Sequence, residues 1–392
     1  MKITKILFIH HAAGWGGAPN SMIKTINALD KNKYEATVLL IKDSIVRNNL
    51  EKNGINYVIA KSKFYQKYYT FFVHMTPYFV SFYNLPKMLK LSILWMLSRY
   101  FFAKRELKNL DFDIVHLNSS QITDWLAPSK AKGKVIMHVR ESLSIGTFGI
   151  RYSFFKRQMQ KYTDKIIAIS YDNARRIGLP NKTEVIYNFS DIVNENIDDE
   201  SYCSNKVLYL GGTQKIKGFY LLVESLDYLA SDIKVYFGGE YTGNDNNSFK
   251  LKIKKIIGYD RKKRMAINKM RQNPRTIEIG LVYDVTKYFN ETCCLVSPYT
   301  TSHFARPVIE AYLHKKPAIG TDVDGMNEII EHNKTGLLVK KNDGKALAEA
   351  INYLTKNSIK AKEMGEYAYS IALKKFTNRN IEQIMKIYSE LI

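Results

Sequence analysis

Two stretches of this 392-residue chain combine cations, an acid and glycines at spacings suited to a charged, hydroxyl-rich ligand. In "LGGTQKIKGF", Gly211 and Gly212 follow an apolar run, and Lys215, Lys217 and Gly218 lead into a helical pattern. Small residues let backbone amides approach a phosphate, and a lysine can neutralise one of its oxygens. The GxxxxGK[ST] spacing of a P-loop is absent. In "SHFARPVIEAYLHKKPAIGTDVDGMNEII", residues 302–330, Glu310 falls in an apolar helical run behind Pro307. A carboxylate there can accept hydrogen bonds from vicinal hydroxyls such as those of a ribose. The plainer alternative is an acid favoured by the helix dipole.

The elements that must position these groups are legible in the alternation of the chain. "ITKILFIHH" reads as a strand ending in the glycine turn "AAGWGGAPNS", followed by the helical pattern "MIKTINALD" and the strand "YEATVLLI". "FDIVHLNSS", "GKVIMHVRES", "DKIIAISYDNARRIG" and "EVIYNFSD" repeat the theme of a short apolar strand with a polar end. Strands alternating with helices predict a parallel sheet, whose ligand crevice lies beyond the strands' carboxyl ends. That rule nominates Gly16, Gly17, Asn118, Ser119, His138, Arg140, Glu141, Ser170 and Asn188. His138 and Arg140 could equally be a structural pair.

Residues 191–205 are polar, acidic and aperiodic, the pattern of a linker. The alternation then restarts with "VLYLGG", "DIKVYFGGE", "RTIEIGLV", "TCCLVSP" and "KKPAIGTDV". At 392 residues the chain exceeds the roughly 250–300 over which one core grows. Two α/β lobes with a cleft between them are therefore expected: residues 1–190, residues 206–372, and a closing helix over 373–392 that returns toward the first lobe.

Lys and Arg outnumber Asp and Glu by 59 to 37, an excess that attracts phosphates on nucleotides, nucleic acid or an anionic leaflet. No zinc finger, RRM signature or basic zipper supports nucleic acid. Residues 69–108 are rich in aromatics, but Pro77, Pro86, Lys87, Lys90 and Arg99 interrupt them before the about 20 apolar residues a span requires. Met88, Leu89, Ile93, Met96 and Leu97 fall at helical spacing among the cations. A helix lying in an anionic headgroup zone and a helix packed on its own domain both fit. The basic run from Phe249 to Arg275 reads as a helical insertion with a solvated face. Three cysteines, two adjacent in an apolar run, give neither a disulfide framework nor a zinc site, and no Asp-x-Asp or His/Cys cluster has ligand spacing. The opening apolar run is shorter than a signal peptide's, which predicts a cytosolic protein.

"GWGGAPNSMIKTINAL", "FDIVHLNSS", "VIMHVRES" and "DKIIAISYDNARRI", followed by "VLYLGGTQKIKGFYLLVESL", the 302–330 stretch, "KTGLLV" and "FTNRNIEQIMKIY", carry a resemblance over nearly the whole chain. It resembles the retaining GT-B glycosyltransferases of family four, which serve bacterial capsule, lipopolysaccharide and glycolipid synthesis. The resemblance implies two Rossmann-like doubly wound domains facing a cleft, a nucleoside-diphosphate sugar donor, a glycan or lipid-linked acceptor, and no cofactor or metal. The stretch 69–108 adds, separately, the expectation of a peripheral position at the inner membrane face. Gly16 and Gly17 would lie against donor phosphate or acceptor, with His138 near the transferred sugar and Lys217 on the diphosphate. Glu310 would hold the ribose, Arg306, Pro307 and Val308 would approach the phosphates, and Gly325 and Glu328 match the turn after the next strand.

Two positions depart from the pattern. Ser302 stands where the family has a first glutamate, and Gly212 where it has an arginine. Arg306, Lys215 or Arg140 would then supply positive charge, while Ser302 offers a hydroxyl but no carboxylate. The departures leave room for another donor sugar or a catalytically silent partner that docks a transferase at the membrane. A sugar-nucleotide epimerase or a phosphorylase would share the architecture.

Overall fold

The computed structural model of the protein describes residues 2–11, 14, 16–70, 85–192, 199–241, 261–282 and 284–392. Two compact units divide it: Met1–Phe189 with Asn378–Ile392, and Ser190–Thr377. Each is built on a wholly parallel sheet. In the first, strands β1 (Thr4–His10), β2 (Tyr34–Leu40), β3 (Asn56–Ile59), β4 (Ile114–Leu117), β5 (Lys134–Val139), β6 (Lys165–Ala168) and β7 (Thr183–Val185) lie in the order β3-β2-β1-β4-β5-β6-β7. In the second, β8 (Lys206–Tyr209), β9 (Lys234–Gly238), β10 (Thr276–Gly280), β11 (Cys294–Ser297), β12 (Ala318–Thr321) and β13 (Gly336–Val339) lie in the order β10-β9-β8-β11-β12-β13.

The central strands are apolar without alternation because helices cover both faces. Every residue of β4, β11 and β12 is buried. One face of the first sheet packs Leu7, Val115 and Met137 against Leu94, Ala103, Leu107 and Trp125. The other packs Ile6, Phe8, Ile114 and Ile136 against Ile381, Ile384, Ile387 and Tyr388 of the last helix, Asn380–Leu391. The chain's end thus completes the first unit. Each sheet has one switch point, where consecutive windings leave in opposite directions: between β1 and β4, and between β8 and β11. Ligand crevices of such sheets form there.

Several expectations shift. Of the stretch 191–205 read as a linker, residues 193–198 lie outside the described residues, and 199–205 fall within the second unit. The second unit begins at Ser190, Tyr202 is in its core, and the Tyr202 hydroxyl donates to the Lys315 carbonyl at 2.6 Å. Aromatic burial outweighs the acidic, aperiodic composition. The closing segment divides at Thr377/Asn378, after the helix Ser358–Lys375, and not at 373. Strands β3 and β13 escaped notice because they are four-residue edge strands, too short to show a period. The helix Leu85–Leu97 continues as a π-helical turn, Ser98–Phe102, and the helix Ala103–Leu107. It packs through Leu91, Leu94, Trp95, Ser98 and Arg99. Arg99, one of the cations that interrupt this stretch, is buried, its guanidinium 4.7 Å from the Tyr162 ring centre and 5.1 Å from that of Trp95. A flat, weakly hydrated guanidinium can exchange water for aromatic faces. Residues 71–84 of the aromatic stretch and 249–260 of the basic run lie outside the described residues. The remaining basic piece forms the helix Arg261–Gln272, which buries Ile267 and Met270 and leaves most of its cations exposed.

Candidate active site

At the switch point of the second sheet, the loops after β8 and β11 enclose a small concavity lined by Tyr209, Gly211, Lys217, Ser297, Tyr299 and Pro307, among others. Its walls require a close approach of two backbones. Gly218 has φ 80°, and a Cβ there would lie 1.8 Å from the Pro298 carbonyl oxygen. Only glycine allows both conformation and contact. The Thr300 amide donates to the Ile216 carbonyl at 3.0 Å, fixing the Lys215–Lys217 turn against the β11 loop. Lys217 is thereby held partly buried, and burial followed by the Arg306 charge lowers its pKa. Lys215 points its side chain to solvent.

The helix Arg306–Leu313 starts beside it, with Pro307 in its first turn and Val308 buried in the core. Arg306 Nη2 lies 3.0 Å from Glu310 Oε1 one turn on. Its Nη1 is buried without a hydrogen-bond partner among the described residues, an orphaned donor of the kind that a ligand anion satisfies. Gly325, at φ 83°, opens the turn Met326–Ile329 that carries Glu328, and a Cβ on it would meet the His303 carbonyl oxygen at 2.7 Å. That contact and the His303 amide, 3.0 Å from the Asp324 carbonyl oxygen, bring the β12 turn onto the 302–306 segment. Ser302 and Glu328 are both half-buried. Gly211 and Gly212 follow β8 directly, and the Gly212 carbonyl accepts from the Tyr209 hydroxyl at 3.1 Å.

His303 drew no notice in the sequence, although it stands inside the motif. Its ring stacks on Tyr299 at 4.3 Å with 8° between planes, and burial followed by the Lys217 charge brings its pKa down to about 4. It is a neutral imidazole beside the Lys217 cation.

In the first unit a polar cluster occupies the ends of β1, β4 and β5. Arg140 is its hub: Nε donates to Asn118 Oδ1 at 2.8 Å, Nη1 to Asn188 Oδ1 at 2.6 Å, and Nη2 lies 3.2 Å from His138 Nδ1. Asn118 Nδ2 in turn reaches His10 Nδ1 at 3.1 Å and the Ala18 carbonyl at 3.2 Å. This ties the start of the helix Gly17–Asn27 to the cluster, with Gly16 and Gly17 exposed at its tip. Burial, the Arg140 charge and His116 hold His138 neutral, and its Nε2 has no partner among the described residues. Glu141 accepts from Ser119 Oγ at 2.6 Å and from the Ser120 amide and hydroxyl at 3.1 and 2.8 Å, which makes it a loop brace. Ser170 caps the helix Tyr171–Ile177. Among the described residues, no group of three His, Cys, Asp or Glu is placed to hold a metal ion.

Residues 15–193 match the family described as Glycosyltransferase Family 4, and residues 195–371 the family described as Glycosyl transferases group 1. An uncharacterized glycosyltransferase of Methanocaldococcus jannaschii is 25% identical over 318 residues, 79% of this chain and 84% of its own length. A capsular polysaccharide biosynthesis glycosyltransferase of Staphylococcus aureus is 29% identical over 122 residues, 31% of this chain and 32% of its own. Among solved structures, Anabaena HepE in complex with UDP and glucose has a TM-score of 0.74 at 20% identity, over 99% of this chain and 100% of that one. At that identity the likeness is one of fold. Similar GT-B proteins include a glycosyltransferase from Rickettsia africae, with a TM-score of 0.73 at 18% identity, covering 100% of this chain and 99% of its own.

Proposed function

The chain belongs to the group 1 glycosyltransferases of the GT-B fold, and on that premise we propose that it moves a sugar, with retention at the anomeric carbon, from a nucleoside-diphosphate sugar to a glycan or lipid-linked acceptor in surface polysaccharide synthesis. The observation that carries this reading is the concavity at the β8/β11 switch point, which Lys217 and Pro307 line, with Arg306 next to Pro307 in the chain, its Nη1 orphaned and its Nη2 paired to Glu310 one helical turn on. Two cations and one carboxylate suit a diphosphate and a ribose. The names of the relatives support the pathway class: one is a capsular polysaccharide glycosyltransferase, and another comes from a capsule-synthesis region of Klebsiella pneumoniae.

Diphosphate binding would draw Arg306 Nη1 toward an oxygen and loosen its hold on Glu310, freeing that carboxylate to accept from the ribose hydroxyls. As the glycosidic C–O bond breaks, negative charge grows on the leaving diphosphate. Lys217, Arg306 and backbone amides at the start of the helix Arg306–Leu313 stabilise it, so catalysis is chiefly electrostatic and proceeds without a metal ion. In the first unit His138 donates from Nε2 to a sugar hydroxyl. Ser302 adds a hydroxyl where the family places a carboxylate, which favours a donor sugar with altered hydroxyl pattern.

A thermal-shift screen of UDP-, GDP- and ADP-sugars tests the reading, since a ligand that binds only the folded chain raises its melting temperature. One class should stabilise the protein and be consumed in the presence of acceptor. A protein that no nucleotide sugar stabilises is not this enzyme, and the silent docking partner then stands.

The first unit also offers a membrane contact. Leu85, Leu89, Ile93, Met96 and Tyr100 are exposed at spacings of three and four residues, with Phe101 beside them. Lys87, Lys90, Lys104 and Arg105 are exposed on the same segment. Ile145, Phe148, Ile150 and Phe154 extend the apolar surface, Phe154 meeting Trp95 edge-on at 5.2 Å between centroids. No helix among the described residues is long and apolar enough to cross a membrane, so the segment would lie on an anionic leaflet. Flotation with phosphatidylglycerol-containing vesicles at low salt should recover the protein, and Phe101→Asp with Leu89→Asp should not float. A wild-type chain left at the bottom of the gradient eliminates the contact.

A further inference from the structure

The last helix reaches the first-unit cluster through one side chain. Tyr388, fully buried, places its hydroxyl 2.6 Å from His116 Nδ1, and His116 Nε2 lies 3.2 Å from His138 Nδ1. His116 is on β4 and His138 on β5, neighbours in the sheet. Neither Tyr388 nor His116 is itself assigned to the ligand.

Hydrogen-bond chemistry admits one arrangement of protons along this chain. A guanidinium donates and never accepts, so Arg140 Nη2 requires a lone pair on His138 Nδ1. With that nitrogen unprotonated, His116 must bring a proton on Nε2 to make its own contact with it. Carrying its proton on Nε2, neutral His116 has a lone pair on Nδ1, which the Tyr388 hydroxyl satisfies as donor. The reverse chain would set an N–H of His138 against an N–H of Arg140 and strand the tyrosine proton. The same hub governs a second ring. Arg140 fixes the Asn118 amide by donating to its oxygen, so Asn118 donates to His10 Nδ1 and leaves the proton of that ring on Nε2.

We propose that Tyr388 and His116 are positioning residues which, together with Arg140, lock His138 as the Nε2–H tautomer, so that the ligand meets a fixed hydrogen-bond donor and never a base. The inference rests on the reading of His138 as the residue that meets a sugar hydroxyl. It assigns that contact a polarity: the hydroxyl oxygen accepts, and its own proton must go to another partner. Burial agrees, since it brings the His116 pKa down to about 3 and holds both rings neutral around neutral pH. The C-terminal helix becomes part of the site's chemistry, and not only of its packing.

The test reads the tautomer directly. Protein labelled with 15N-histidine is examined by long-range proton–nitrogen correlation without any donor, and His138 is assigned by the signal lost in His138→Gln. Wild type should show a protonated Nε2 and an unprotonated Nδ1 in His138, unchanged from pH 6.5 to 8.5. In Tyr388→Phe, which keeps the ring that packs on Tyr34, His116 should lose its single-tautomer pattern, and the His138 Nδ1 shift should move as its second donor, His116 Nε2–H, is no longer fixed. A purely structural tyrosine would change the melting temperature and leave these shifts in place. A proton on Nδ1 of His138 in wild type, or a His138 pattern identical in folded Tyr388→Phe, overturns the proposal. If Tyr388→Phe does not fold, His116→Gln gives the same reading on His138. Because no donor is present, failure of the glycosyltransferase reading leaves this result standing, and failure of the tautomer leaves the donor screen untouched.

Discussion

Lys217 carries two penalties, burial and the nearby Arg306 charge, and both lower its pKa. A bound diphosphate reverses the balance by adding negative charge beside both cations. Lys217→Ala should therefore reduce transfer by about 100- to 1,000-fold in kcat/KM, the usual effect of removing one preorganised donor to a developing oxyanion. Its melting temperature should stay within a few degrees of wild type, and unaltered turnover of the donor found by the screen refutes the assignment. Gly218→Ala belongs to the same neighbourhood but acts differently. An added methyl group would sit 1.8 Å from the Pro298 oxygen at φ 80°, so the two loops must part. We expect a loss of about 2–4 kcal/mol in urea unfolding, with donor binding lost in the same variant.

The element that spans Leu85–Leu107 is pinned by a buried carboxylate. Asp124 Oδ2 accepts from the Tyr69 hydroxyl at 2.8 Å and from Ser98 Oγ, and the Tyr65 hydroxyl lies 2.8 Å from the same serine oxygen. Trp95 Nε1 donates to Thr123 Oγ1 at 3.1 Å alongside. Burial outweighs these hydrogen bonds and raises the Asp124 pKa to about 6. Between about pH 4 and 6 the folded chain thus holds a proton that the unfolded chain has released. The contribution of Asp124 to stability declines as pH rises through that window and is constant above it. Asp124→Asn removes the titration. Relative to wild type, the variant should gain on the order of 2 kcal/mol between pH 4 and 6. Parallel urea curves for the two proteins across the window would show that the carboxyl is not buried as described.

Across the whole molecule the buried histidines pull the other way. His10, His11, His116, His138 and His303 are each held below the ordinary value of 6.5, His116 at about 3 and His303 at about 4. The unfolded chain binds protons below about pH 6.5 that the folded chain refuses, at about 1.4 kcal/mol per pH unit for each ring. Stability present above pH 6.5 is therefore lost as pH falls toward the folded values. Five histidines outweigh one aspartate. The urea midpoint should be level from pH 7 to 8 and drop steeply from 6.5 to 4.5, and a midpoint that holds level down to pH 5 contradicts the burial of these rings.

The amino-acid sequence by itself determined the two parallel sheets, because helix-covered central strands such as β4, β5, β11 and β12 must be continuous apolar runs. It also marked the glycine turns at Gly211 and Gly218, since a close approach to the backbone that excludes a Cβ leaves glycine as the only residue. Tertiary structure alone decided which polar side chains meet. Tyr388 and His116 are 272 residues apart, and their contact depends on which sheet face the last helix covers. Arg99 became an interior cation through aromatic rings from its own helix and π-helical turn and from Tyr162 of the distant helix Ile150–Tyr162. Tyr202 joined a core although its neighbours read as linker. Local pattern reports what a residue must avoid in water, whereas its partner is set by strand order, and the strand order of a sheet is not written in any one segment.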